Sequence, residues 1–158
     1  MAPATVYLET TVLSYLTARD AHEGLIGAHQ SVTRSWWESQ RQQYRLVASA
    51  IVVREASAGD PEMAARRLAL IADCDLLQIT DAVDVLAALL LDRGLVPATV
   101  PNDALPMAVA TVGGAEYLLT WNLRHLAGAI ARRRIEQELR RLGHEPPSSN
   151  RRHATDVG

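Results

Sequence analysis

Residues 6–16 read VYLETTVLSYL. Thr5–Leu8 is a short run of β-favouring residues, as a buried strand would be. The pattern then changes to a helical spacing. Val12, Leu13 and Leu16 fall on one face, and Thr10 or Thr11 stands where a helix cap belongs. Glu9 sits at the joint, directly after the strand. A strand that passes straight into a helix is the opening half of a βαβ unit.

The same alternation continues outward. Residues 20–43 read as a long helix with Leu25, Ile26, His29, Val32, Trp36 and Trp37 near one side. Tyr44–Ala48 (YRLVA) is a second strand, and Ser49 begins a helix through Ile51, Val52 and Glu55 that breaks at Gly59. Asp60-Pro61-Glu62 restarts a helix, with a cap residue before Pro at the first helical position, and this helix runs to about Asp73. Residues 75–80 (DLLQIT) are a third strand. Thr80 or Asp81 caps the helix that follows, and Gly94 closes it. After a Pro-bearing loop over 96–101, Asn102 caps a helix over 103–112 that ends at Gly113-Gly114. Residues 117–120 (YLLT) are a fourth strand, 123–127 a short helical turn, and 130–142 an Arg-rich helix.

Strands alternating with helices imply right-handed crossovers and a mostly parallel sheet with helices on both faces, a three-layer α/β/α sandwich. Residues 1–143 form one domain in this reading, and 144–158 a flexible C-terminal tail.

Composition agrees with one globular domain. The chain has 158 residues, of which 48% are apolar and 22% charged. A domain of this size buries roughly 70% of its unfolded surface, enough for a core without disulfides or structural zinc. All basic side chains are Arg and there is no Phe. The net charge of −2 argues against a protein that holds nucleic acid by bulk positive charge. The charge is uneven, however. Residues 130–158 hold seven Arg against four acids, and residues 1–129 hold nine Arg against fourteen. This basic segment is either a solvated helix face, with Glu136 and Glu138 as neutralising partners, or a surface for phosphates. A lone Cys74 between apolar runs reads as a buried thiol and excludes an intrachain disulfide or a multi-Cys zinc site. The start MAPATVYLE lacks a signal-peptide pattern, and the longest apolar run, Val85–Leu91, is too short for a bilayer. The expectation is a cytoplasmic protein with no membrane contact.

In an open parallel sheet, sites lie at the carboxyl ends of strands. Glu9, Glu55, Asp103, Thr120 and Asn122 all fall there. Each has a structural alternative. Glu9 and Asp103 suit the positive end of a helix, and Asn122 suits a cap. Glu55 lies among Val52, Val53 and Ala56, where an unpaired carboxylate is costly if buried. Together, three carboxylates, an amide and a hydroxyl make an all-oxygen ligand set, which suits Mg²⁺ or Mn²⁺ rather than zinc. Two such ions could activate water against a phosphodiester, and clustered acids need cations to offset their repulsion. Thr10 serves either as a helix cap or as a support for a metal-bound water. Trp36 and Trp37 point about 100° apart, so one suits the core and the other a seam, with stacking on RNA bases as the alternative. His125 reads as a packing or supporting group.

The stretches VYLETTVLSYL (6–16), ASAIVVREAS (48–57), NDALPMAVA (102–110) and EYLLTWNLRHLA (116–127) resemble, in order and spacing, the PIN-domain family of metal-dependent nucleases. The likeness is greatest to VapC-like toxins that read TWNxxHLA at the fourth strand, and it spans residues 5 to about 143. The resemblance implies a PIN-like α/β/α fold and an Mg²⁺- or Mn²⁺-dependent endoribonuclease. Glu9, Glu55 and Asp103 would match the family's acids, Asn122 its fourth polar position, and Thr120 a supporting hydroxyl. It also implies the toxin role in a VapBC-type toxin–antitoxin pair, a small antitoxin protein as partner, and a homodimer. Arg132, Arg133 and Arg134 are candidates for RNA backbone contact. Two positions depart from the family's usual pattern. Glu9 stands where Asp is usual, one methylene longer, and neutral Asn122 stands where Asp is frequent. Together they lower the site's negative charge and predict a weakened second metal and low activity. Pro106, near the start of its helix, lies where a missing N–H matters little but could tilt Asp103. The alternative to an active nuclease is a catalytically weak PIN-like module that binds RNA or protein.

Overall fold

A computed structural model describes residues 2–122 and 129–149. Its elements, in chain order, are β1 (Thr5–Leu8), α1 (Thr10–Thr17), α2 (Gly24–Ser39), β2 (Arg45–Ser49), α3 (Ala50–Ala56), α4 (Pro61–Leu70), β3 (Asp75–Leu77), α5 (Asp81–Asp92), α6 (Ala104–Val112), β4 (Tyr117–Leu119), α7 (Ala129–Arg141) and β5 (Ser148–Ser149). The sheet order is β3-β2-β1-β4-β5, and every neighbouring pair is parallel.

This order places the site. The chain steps from β1 to β2 to β3 in one direction, then returns across the sheet to β4 and β5. With right-handed crossovers, α1–α4 cover one face and α5–α7 the other. The packing agrees: α1 packs on α2, α3 and α4, while α5 packs on α6. Glu138 of α7 pairs with Arg93, just past α5. The direction reverses between β1 and β4, so a crevice opens at their carboxyl ends. The central strands Val6–Leu8, Val47, Ala48 and Leu118 are buried on both sides, which explains their continuous apolar runs.

Several boundaries differ from the sequence reading for local reasons. The helix expected over 20–43 begins at Gly24 and ends at Ser39, followed by a 3₁₀ turn at Arg41–Gln43. Residues 18–23 are held out of the helix by Gln30, whose amide donates to the carbonyls of Ala18 and Arg19 and accepts from the Ala21 amide. Arg34 adds an ion pair with Asp20 at 2.7 Å. Gly24, at φ 76°, adopts a conformation that a helix cannot extend through. The third strand stops at Leu77, because its partner Ser49 is the last strand residue of β2. Asp60 caps α4 through the Met63 amide, as its Asp-Pro start implies. The helix expected over 103–112 is split into a 3₁₀ turn, Pro101–Asp103, and α6. Pro106 falls in the first turn of α6, where its missing N–H breaks no helical bond. Gly113 suits a close approach, since a Cβ there would meet the Val109 backbone oxygen at 2.9 Å and Leu77 Cδ1 at 2.6 Å.

The segment beyond Gly143, expected as a tail, is partly built into the fold. His144 N–H donates to Leu139 O, Pro146 and Pro147 are buried, and Ser148 N–H donates to Glu116 O as β5 joins β4. Two serines at a sheet edge carry no apolar pattern, so backbone pairing alone defines this strand. Residues 150–158 lie outside the described residues, as does the turn expected over 123–127 with His125.

Candidate active site

Glu9 occupies the β1–α1 joint and is itself the cap of α1, in place of Thr10 or Thr11. Its side chain is 6% exposed. Glu9 Oε2 accepts from Thr11 N–H at 3.0 Å, from the Thr11 hydroxyl, and from Thr120 Oγ1 at 2.8 Å. A buried carboxylate is tolerable when donors surround it in this way. The backbone closes the same seam, with Glu9 N–H donating to Leu119 O at 3.1 Å.

The network runs on through the residues after β4. Thr11 Oγ1 accepts from Trp121 N–H at 2.9 Å, and Thr120 Oγ1 accepts from Asn122 N–H at 2.9 Å. Asn122 Nδ2 donates to Asp103 Oδ1 at 2.9 Å. Asp103 makes no cap bond to α6, so its carboxylate faces the crevice instead of its own helix. Glu9, Asp103, Thr120 and Asn122, with Pro106, Met107 and Leu118, line one narrow cavity of about 20 Å³. That is room for about one water-sized group.

Glu55 sits in the last turn of α3, exposed and outside that lining. It is nevertheless coupled to the others by charge. Partial burial and then the negative charge of Glu9 push its carboxyl above the ordinary range, Asp103 adds to this, and Thr10 and Arg54 act in the opposite sense. Thr10 Oγ1 is buried and makes no hydrogen bond of ordinary geometry, yet it lies near enough to favour the Glu55 carboxylate. Tyr7 approaches the same end of the sheet. Its hydroxyl bonds Ser49 Oγ at 2.8 Å, and the Ser49 side chain makes no cap bond to α3. Burial, followed by Glu9 and Glu55, pushes the Tyr7 phenol up to about 12, against the Ser49 bond, which lowers it.

The structure therefore brings together Glu9, Asp103, Thr120 and Asn122, sets Glu55 beside them, and turns Thr10 toward Glu55. Among the described residues, no three His, Cys, Asp or Glu side chains are gathered closely enough to hold a metal. The donor chemistry suits a hard cation, and the mutual repulsion felt by Glu55 is what such a cation would relieve.

The remaining candidates divide. Arg133 and Arg134 are exposed on α7, and no described residue forms an ion pair with them. Glu138 pairs with Arg93 and Arg141 instead. The side chain of Arg132 lies outside the described residues. Trp36 is 3% exposed and stacks on Tyr44, while Trp37 is half-buried under the Arg41 guanidinium.

Three residues that hold the site give little signal in the sequence: Thr11 as a ligand of Glu9, Trp121, and Thr33. A Thr after a strand reads as a cap, and nothing local reveals that an indole 88 residues from Thr33 donates to its hydroxyl at 2.8 Å.

No family model matches the sequence, and no curated protein matches it. Among solved structures, a chain in the crystal structure of VapBC2 from Rickettsia felis bound to a DNA fragment from their promoter is similar. The match has a TM-score of 0.53 and 18% identity, and covers 77% of this chain and 90% of that one. At that identity the likeness is one of fold, and the fold is α/β with a parallel sheet between helices. No helix among the described residues is long and apolar enough to cross a membrane.

Proposed function

We propose that the protein is a metal-dependent endoribonuclease of the PIN type, acting as the toxin of a toxin–antitoxin pair. The observation that carries this reading is the meeting of Glu9, Asp103, Thr120 and Asn122 in one small cavity at the β1–β4 reversal, with Glu55 repelled by two of those acids. A bound Mg²⁺ or Mn²⁺ would supply an activated water and offset charge on the leaving oxygen. Glu9, Asp103 and Glu55 are the carboxylates that would hold it, after a movement that draws them closer together than they stand here. Thr120 and Thr11 fix the Glu9 carboxylate, and Asn122 fixes that of Asp103. Exposed Arg133 and Arg134 suit the RNA backbone.

The fold likeness to a chain of VapBC2 supports the toxin reading. Leu25 and Ile26, 71% and 62% exposed at the start of α2, suit a protein partner such as an antitoxin. Leu76 and Ile79, exposed along the β3 edge, suit a second copy in a homodimer.

A second reading has its own observation. Glu9 Oε2 already takes three donors and Asp103 Oδ1 takes Asn122, which favours a site that binds RNA or protein and cuts weakly. Calorimetric titration with Mn²⁺, together with end-group analysis of RNA incubated with the protein, separates the two. Mn²⁺ binding with 5′-phosphate and 3′-hydroxyl products supports the nuclease. RNA binding without Mn²⁺ binding or cleavage supports the module.

A further inference from the structure

Trp121 lies between the two residues that touch the site's acids, and its own side chain points away from them. The indole N–H donates to Thr33 Oγ1 on α2 at 2.8 Å. Thr33 is 4% exposed, and its hydroxyl donates to His29 O at 2.6 Å, which leaves a lone pair aimed at the indole. The indole stacks on the His29 ring, with centroids 4.0 Å apart and planes 17° apart. Tyr15 of α1 meets both rings edge-on and bonds His29 Nδ1 at 3.2 Å. The Trp121 backbone N–H donates to Thr11 Oγ1, and that hydroxyl donates to Glu9.

Trp121 thus has four partners on α1 and α2, Thr11, Tyr15, His29 and Thr33, while its neighbours Thr120 and Asn122 hold Glu9 and Asp103. β4 ends at Leu119, so the sheet supplies no ladder bonds to residues 120–122. We infer that Trp121, clasped by Thr33 and His29, is a positioning residue that sets Thr120 and Asn122 against Glu9 and Asp103. The clasp makes α2 part of the site's framework although α2 contributes no group to the cavity. The functional half of this inference rests on the nuclease reading above, and the structural half does not.

The test compares the full-length metal-free protein as wild type, Thr33→Val, Thr33→Ser and Trp121→Phe by amide hydrogen exchange. Thr33→Val strands the indole N–H, and Trp121→Phe removes it. Both are expected to speed exchange of the amides of residues 121 and 122 roughly 5- to 10-fold. The amides of Val6 and Tyr7 in β1 keep their wild-type rates, and Thr33→Ser, which retains the acceptor, restores the wild-type rate at 121 and 122. With Mn²⁺ and RNA, Thr33→Val lowers kcat by a similar factor and leaves KM unchanged. Unaltered exchange at 121 and 122 in both variants overturns the clasp. So does acceleration spread equally over β1, which is the mark of simple destabilisation. Faster exchange confined to 121 and 122, in a protein that cuts no RNA, upholds the clasp and removes the nuclease reading alone.

Discussion

Glu9 and Glu55 stand at the same end of the sheet and are held in opposite ways. Glu9 is buried, caps α1, and takes three donors on one oxygen. Glu55 is exposed on a short helix, and its carboxyl is pushed up by partial burial and by the charges of Glu9 and Asp103. One carboxylate is therefore part of the frame that ties β1 to the residues after β4. The other is a charge the fold tolerates at a cost, the pattern expected of the functional group we propose it to be.

Glu9→Ala should produce the largest effect. It deletes the α1 cap and leaves the Thr11 and Thr120 hydroxyls without their acceptor. A stability loss of about 2–3 kcal/mol in denaturant unfolding is expected, together with loss of RNA cleavage. Wild-type stability would show that the network does not hold the seam.

Asn122→Asp comes next. It replaces the 2.9 Å donor to Asp103 with a like charge. Without metal, Tm should fall by about 2–4 °C. With Mn²⁺ the order reverses, because the added charge tightens cation binding, and a ligand at a hundred times its Kd adds about 2.7 kcal/mol. Equal Mn²⁺ stabilisation of both proteins would separate Asn122 from any metal.

Replacing Arg133 and Arg134 together by Ala should act on affinity alone. The salt dependence of single-stranded RNA binding should flatten by about 0.7 for each phosphate no longer neutralised, with cleavage at saturating RNA unchanged. An unaltered salt slope would make these arginines a solvated face.

Glu55→Gln should have the smallest effect on stability, with a sign opposite to that of Glu9→Ala. The Glu55 carboxyl is raised in the fold, so the native state favours its protonated form. Its ionisation therefore costs stability, and wild type recovers that stability as pH falls through the raised pKa toward the ordinary carboxylate value. Glu55→Gln should be slightly more stable than wild type at neutral pH, by less than about 1 kcal/mol since water screens an exposed group. The difference should vanish below about pH 4, where both forms are neutral. A destabilised variant at neutral pH would make Glu55 a structural residue like Glu9.

The contrast also explains what the sequence reveals. Apolar runs such as Val6–Leu8, and the Asp60-Pro61 start, fix strands and helices because burial and capping act over a few residues. Glu9, Asp103, Thr120 and Asn122 are readable as a group because a parallel sheet carries strand ends to one edge. Thr11, Thr33 and Trp121 are not readable, since their roles depend on hydrogen bonds spanning 110 and 88 residues. The β5 strand is hidden for a similar reason: Ser148 and Ser149 pair through backbone alone. The helix start at Gly24 is set by Gln30 bonding back to residues 18–21, which composition does not encode.

The most direct measurement is cleavage of single-stranded RNA in Mn²⁺ by wild type and by Asp103→Asn, with both proteins matched by circular dichroism. Asp103→Asn keeps the size of the side chain and the acceptor for Asn122 while removing the charge. A metal held by these acids predicts Mn²⁺-dependent cleavage by wild type that EDTA abolishes, and a loss of at least about 100-fold in the variant. Equal cleavage by the two folded proteins, or none by wild type, would contradict it.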